Sequence, residues 1–414
     1  MGAARAGWGS LPYVSAVHTP VVLPNEEQLD SGRAWVDVAM ACLSMFVVFL
    51  TPYSFGTFVK PMASEFDAKR GGIALVFGIT AFLYFVLGAV TGPLVHRVGP
   101  RRMILFGGTV QVVGMLLTSR VNSLGQAYFT FGIGVGVGVA CGYVPMVAVV
   151  GGWFYKKRAS AVGIAVSGIG LSSLVGAPLA ARLIRVYGWR DAYVILAVVT
   201  AVLLTVVAVF TRTPPSFGKA PAYTLGSAVR TRSFALSYAS VLLIAIPLFS
   251  VFVNIVPYAE DHGMSKARAA TLVSLIGAFS ILGRIGLAAF AERVGIPLVY
   301  VSSFFVMAAA QLLWLFAGSS YLALAFFVSV FGAAYGGFIS LSPGFLAGIF
   351  GADQLGGLTG INYSAAGFGA LLGPTLGAWL VDRTNGYATT IVCGLIAGAL
   401  GTSMLGALLR RRTL

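Results

Sequence analysis

The sequence is poor in charge. Only 9% of its 414 residues are Asp, Glu, Lys or Arg, against roughly a quarter in a soluble domain, so water cannot be its main solvent. Acids are scarcest, 12 against 27 basic residues, and no carboxylate pair lies within an apolar stretch. His-Glu-x-x-His, Cys-x-x-Cys and phosphate-loop patterns are missing as well. An enzyme therefore has little support, and no cofactor or metal is expected. The three cysteines, Cys42, Cys141 and Cys393, all fall in apolar stretches, which argues against a disulfide framework. No apolar signal-peptide core opens the chain. The first ~30 residues are polar and turn-rich (His18, Pro20, Pro24, Asn25, Glu26, Glu27) and read as a mobile tail.

What the chain has is apolar length. Hydrophobic residues make up 58% of it, with 53 glycines. Stretches able to cross a ~30 Å hydrocarbon layer are predicted near 35–59, 72–96, 102–119, 124–152, 158–183, 189–211, 233–258, 267–291, 297–317, 321–349, 356–381 and 387–408. The net charge of +15 follows the positive-inside rule if both termini are cytoplasmic. Sixteen Lys and Arg then fall inside and ten outside, with Arg284 the remaining one of 27. That pattern fits anionic headgroups and gives no reason to expect a nucleic-acid partner. The expected location is a bacterial inner (plasma) membrane, multi-pass.

A Pro-containing basic stretch from Arg212 divides the chain. The expected organisation is a cytoplasmic tail at 1–34, a six-helix bundle at 35–211, a cytoplasmic linker at 212–232, a second bundle at 233–408 and a tail at 409–414. The halves repeat one another. Arg97-Val98-Gly99 recurs as Arg293-Val294-Gly295 and Phe154 as Phe350, both 196 residues on. Gly163, Ser167, Gly176, Leu179 and Leu183 recur 197 residues on, as Gly360, Ser364, Gly373, Leu376 and Leu380. Parallel duplication implies a pseudo-two-fold axis along the membrane normal, with a cavity between halves that rock. Glycines at four-residue spacing (Gly134, Gly138, Gly142) permit close helix approach, for static packing or for sliding.

The stretch Gly92-Pro93-Leu94-Val95-His96-Arg97-Val98-Gly99-Pro100-Arg101-Arg102 resembles the signature loop of the major facilitator superfamily, G-x-x-x-D-R-x-G-x-R-R, with His96 in place of the aspartate. The second half keeps an acid in Glu292-Arg293-Val294-Gly295. Asp30-Ser31-Gly32-Arg33-Ala34-Trp35 and Pro52-Tyr53-Ser54-Phe55-Gly56-Thr57-Phe58-Val59-Lys60 look like the opening of the monocarboxylate transporters. Pro145 with Trp153-Phe154-Tyr155-Lys156-Lys157-Arg158, running on to Gly163 and Gly168, is similar to their junction between spans four and five. The resemblance covers both halves, with the oxalate/formate exchangers as near cousins. It implies an all-α membrane protein of the major facilitator fold, twelve transmembrane helices in two six-helix bundles, working by alternating access. It also implies that Gly92, His96, Arg97, Gly99, Arg101, Arg102, Glu292 and Arg293 form a gating loop motif, and that Arg284 sits where that family has its substrate arginine. Three positions depart from the pattern. Ser280 stands where the animal proteins have an aspartate one turn before the arginine, and Tyr53 where they have a lysine. Asn362-Tyr363-Ser364-Ala365-Ala366-Gly367-Phe368 lacks the second cation of the oxalate exchangers.

Arg284 lies deep in the eighth predicted span. An intramembrane arginine is expensive unless it meets water or an anion, and its planar fork fits a carboxylate bidentately. Binding to backbone carbonyls is the structural alternative. One cation without a second favours a monoanion, since a dicarboxylate would bring an unpartnered charge into a low-dielectric site. A lactate- or pyruvate-type acid is expected, with Tyr143, Tyr335, Phe331, Tyr363, Tyr53 and Asn254 as further contacts. Phe331 and Tyr335, four apart, share a helix face. Anion uptake against a negative interior opposes about 2.3 kcal/mol per charge per 100 mV, so a co-transported proton is expected. It would ride on the substrate or use Asp37, which could equally complement the helix start or pair with Arg33. His262 is read as solvated. The expected partners are a small carboxylate, a proton and lipid, with the protein acting as a monomer. The rivals are a carboxylate exchanger and a drug exporter, the latter disfavoured because it would want an acid in its cavity.

Overall fold

The computed structural model describes residues 29, 31–154, 157–214, 229–350 and 355–410. Most of the predicted tail at 1–34, most of the linker at 212–232 and residues 411–414 lie outside the described residues. Every described secondary-structure element is helical. Long helices are required because a backbone in lipid must satisfy its own hydrogen bonds.

Twelve passes follow the chain: α1 Ala34–Tyr53, α2 Arg70–Val98, α3 Pro100–Thr118 and α4 Leu124–Trp153. Arg158–Phe210 supplies two more, because Gly188 adopts φ 83° and reverses the chain. Its arms are α5 (158–187) and α6 (189–210). Then come α7 Arg232–Asp261, α8 Lys266–Val294, α9 Ile296–Ala317, α10 Tyr321–Phe350, α11 Leu355–Thr384 and α12 Ala388–Arg410. Ten described helices are long and apolar enough to cross a membrane, the double-length one counted once. The nineteen-residue α3 completes the set, its Gln111 buried and donating from Nε2 to the Val48 carbonyl at 3.1 Å.

Two spans differ from the sequence expectation. The first, expected to run from 35 to 59, stops being α-helical at Tyr53, where the Ser54 hydroxyl turns back onto the Leu50 carbonyl at 2.8 Å. A 3-10 turn (Phe55–Thr57) and a short helix (Val59–Glu65) follow. The fourth contains a π-helical stretch at Tyr128–Ile133 and breaks again at Tyr143 (φ −97°, ψ −77°), next to Pro145. Proline removes a backbone donor and crowds the preceding turn, so this break sets the direction of the Tyr143 ring.

Helices α1 to α6 pack together, as do α7 to α12, and the halves meet chiefly along α5 against α8 and α2 against α11. Glycine makes these seams tight. A Cβ on Gly277 of α8 would lie 2.5 Å from the Gly170 carbonyl oxygen of α5, and one on Gly78 of α2 would lie 3.0 Å from the Leu371 carbonyl oxygen of α11. The repeat is visible in the backbone too. Gly99 (φ 88°) ends α2 and Gly295 (φ 101°) ends α8, both in a region closed to L side chains. We call the end of the bundle where α1 begins and α12 finishes the terminal face, and the other end the far face.

Candidate functional site

Arg284 is placed by helix packing. Gly332 and Gly336 of α10 bring that helix against the α8 backbone at Ile276 and Ser280, and Gly283 of α8 meets Ala333. The arginine side chain is thereby pushed toward the seam with the first half. It is 4% exposed. Its Nη1 donates to the Val166 carbonyl of α5, while Nε and Nη2 have no acceptor among the described residues. Those two nitrogens share one edge of the guanidinium and point two parallel N–H groups the same way. A buried donor left without a partner costs about 1–3 kcal/mol, more when charged. The edge is therefore built for a planar, two-oxygen acceptor. The carbonyl bond and the open fork coexist in one side chain.

On the other side of the Tyr335 ring lies a narrow cavity between the halves, with about 10 Å³ of free space, room for about one water molecule; Arg284 touches that ring but is not itself part of the cavity lining. Tyr53, Tyr143, Tyr335 and Tyr363, all singled out in the sequence, line it. The guanidinium carbon stands 5.7 Å from the Tyr335 ring centroid. Tyr335 on α10 and Tyr53 on α1 join hydroxyls at 3.0 Å, a hydrogen bond across the two halves. Phe252 stacks on Tyr53 at 4.6 Å and meets Tyr335 edge-on at 5.7 Å, packing behind both rings. Tyr363 donates weakly to the Ile339 carbonyl at 3.5 Å. Ser280 has turned back onto its own helix, donating to the Gly277 carbonyl at 2.9 Å.

Three other expected residues lie elsewhere. Phe331 is fully buried against Phe327, at 5.6 Å between centroids, in a stack that continues to Trp314, and it does not line the cavity. It shares a face with Tyr335, but one turn is enough to move it from the cavity into packing. Asn254 also stays out of the lining; its Nδ2 donates to the Ser250 carbonyl at 3.0 Å and hydroxyl at 3.1 Å. Asp37 is wholly buried at the terminal face, accepting from the Arg212 backbone at 2.9 Å and from its Nη2 at 2.8 Å. Arg33 contributes only its carbonyl, to the same Arg212 side chain, so the expected Asp37–Arg33 pair is replaced by Asp37–Arg212. Gly92, His96, Arg97, Gly99, Arg101 and Arg102 form the α2–α3 junction on the terminal face, and Glu292 and Arg293 the matching α8–α9 junction. His262 is exposed, as expected, with its ring stacked on Tyr258 at 4.1 Å.

The sequence reasoning missed the far face. Lys60 and Arg70 of the first half meet Glu260 and Asp261 at the end of α7. The Lys60 ammonium is 3.2 Å from Glu260 and 2.7 Å from Asp261, and Arg70 also binds Asp261. The Tyr387 hydroxyl, 2.7 Å from both, accepts from Arg70 and donates to Asp261. Asp382 takes the Gly71 N–H at 3.1 Å. Of the five ion pairs among the described residues, the three that join the halves are all in this cluster. A signal existed, in basic residues after span one and acidic residues after span seven on the same predicted side. Only their pairing across 200 residues of chain gives them meaning.

The chain matches the model of the Major Facilitator Superfamily over residues 41–298 and 237–413. It belongs to that superfamily, and is a multi-pass membrane protein of the transporter class. Among curated relatives, Monocarboxylate transporter 2 of Homo sapiens is 26% identical over 430 residues, covering 95% of this chain and 88% of that one. MFS-type transporter 1 of Ophiocordyceps sp. is 28% identical over 390 residues, covering 92% and 85%. Monocarboxylate transporter 13 of Bos taurus is 26% identical over 389 residues, covering 92% and 90%.

Proposed function

We propose that the protein carries a short monocarboxylate of the lactate or pyruvate type, bound at Arg284 and moved by alternating access, together with a proton. The observation that carries this reading is the open edge of the buried guanidinium, Nε and Nη2, packed against Tyr335, whose ring lines a cavity shared by both halves. Among the described residues no Lys or Arg lines that cavity, and Arg284 is a single cation against its wall, which favours a single carboxylate over a dicarboxylate. The names of the relatives point to the same chemistry. Alternating access is supported by the far-face ion cluster, whose members would separate when that side opens. The basic excess at the terminal face makes it the cytoplasmic side, and the loop motif from Gly92 to Arg102, with Glu292 and Arg293, its gate. We take the bundles as 35–211 and 233–408, a division that the packing among α1–α6 and among α7–α12 supports.

The proton travels on the carboxyl group itself, because no Asp, Glu or His lines the cavity among the described residues. Asp37, engaged by Arg212, is the alternative carrier, and Asp37→Asn separates the two. The same lack of a titratable lining group favours anion exchange as the second reading. Uptake of labelled pyruvate into proteoliposomes discriminates. Accumulation driven by an inward proton gradient with no internal anion supports symport; an absolute requirement for internal carboxylate, with indifference to the gradient, supports exchange. Arg284→Gln should lower transport by about 100-fold, from losing a buried charge-assisted pair. Transport at unaltered rates in that variant would overturn the site.

A further inference from the structure

The cavity wall says what kind of carboxylate body fits. Eight of the twelve residues that line it are aromatic, and the other four are Ile169, Leu248, Ile339 and Ala366. None is Ser, Thr, Asn, Gln or charged. The only polar side-chain atoms of the lining residues are the four tyrosine hydroxyls, and most of these are engaged. Tyr53 and Tyr335 are bonded to each other, and Tyr363 is turned to a backbone carbonyl. Tyr143 alone has no hydrogen-bond partner among the described residues. A carboxylate on the Nε–Nη2 edge of Arg284 would take up the remaining donors, Tyr143 and whichever proton of the Tyr53–Tyr335 pair is spare. Nothing polar is then left for the rest of the ligand.

We propose that the site selects monocarboxylates with an apolar body, branched or aromatic, over 2-hydroxy acids such as lactate. This rests on the carboxylate reading at Arg284 and replaces the lactate-type body proposed above by an apolar one. The body meets Phe49, Phe85, Phe249 and Phe338, rings that bury methylene and aryl carbon well and leave a hydroxyl without an acceptor. The present cavity is contracted, so a ligand enters by parting these rings and breaking the Tyr53–Tyr335 bond. The free energy for that parting comes from apolar contact with the body as well as from the carboxylate.

The test is a binding series on the purified full chain, with acetate, propionate, butyrate, valerate, isovalerate and benzoate set beside glycolate, lactate and 2-hydroxybutyrate. Affinity should rise about three- to fourfold per added methylene from acetate to valerate. Each 2-hydroxy acid should bind more weakly than its unsubstituted counterpart. Phe249→Ser should flatten the series, while Arg284→Gln should remove binding of every member. A flat series, or lactate binding more tightly than propionate and butyrate with Arg284 still essential, overturns the proposal and leaves the carboxylate reading standing. If no member binds the unaltered protein, both fail together.

Discussion

The far face and the central cavity treat charge in opposite ways. At the far face Lys60 and Arg70 meet Glu260 and Asp261, so that two cations and two anions cancel across the halves. These side chains remain partly exposed, from 11% for Glu260 to 31% for Arg70. Near the cavity, behind the Tyr335 ring, Arg284 is 4% exposed and has two N–H groups with no acceptor among the described residues. A balanced cluster holds two surfaces together without any ligand. An unbalanced charge in low dielectric needs one. On the proposed function, closure at one end and recognition at the centre are separate electrostatic devices, so variants should be able to damage one and spare the other.

After the loss of the charge itself in Arg284→Gln, the largest effect should come from changing the fork while keeping the charge. Arg284→Lys replaces a bidentate edge with a point charge, and at such sites the exchange is not conservative. Binding of a monocarboxylate should fall by ten-fold or more, measured by ligand-induced thermal shift, while the far-face cluster stays closed. Near-normal affinity in the lysine variant would show that charge alone suffices. Next comes Asp261→Asn, which removes the anion shared by Lys60, Arg70 and Tyr387. A cysteine placed beside the cavity should react several-fold faster with a membrane-impermeant reagent applied from the far side. Arg284-dependent binding should survive, and unchanged labelling would mean that the cluster does not hold the halves closed.

A smaller effect is expected from Tyr335→Phe, which deletes the inter-half hydroxyl bond while keeping the ring over Arg284. One neutral hydrogen bond contributes about 1 kcal/mol, so the balance between closed and open forms should move by about fivefold, read by the same labelling. The smallest concerns Glu65, bound by Trp189 and by Arg190 at 2.6 Å. Burial alone would raise its carboxyl, but the hydrogen bonds from Arg190 and Trp189 outweigh it and hold the group below its ordinary value. Such a depressed acid contributes stability above its unfolded pKa, near 4, and loses it as pH falls through the lower folded value. The pair is well exposed, so the contribution is modest. Thermal unfolding below about pH 4 should lose a small increment that Glu65→Gln no longer loses.

Most helices were legible because lipid imposes one rule on every residue of a span. Apolar length alone therefore predicted α7 as 233–258 where the structure has Arg232–Asp261, and α10 to within a residue. The exceptions sit at the site. Tyr53 and Tyr143 both lie where a helix breaks, and apolar periodicity carries no mark of a break other than the nearby prolines. Phe331 and Asn254 were plausible by span and type, but which side of a buried helix meets the cavity depends on its partners. In a chain apolar all round, hydrophobicity does not tell lining from packing.

The sequence by itself determined a membrane protein of repeated halves with one arginine deep in a predicted span, because apolar length and the positions of charged residues are read without any tertiary contact. Only the tertiary structure decided which edge of that arginine is open. The Val166 carbonyl that fills Nη1 belongs to a helix 118 residues away, and the glycine seams bring it there. The far-face cluster was decided the same way, since its cations and anions come from opposite halves and acquire a meaning only where the halves touch.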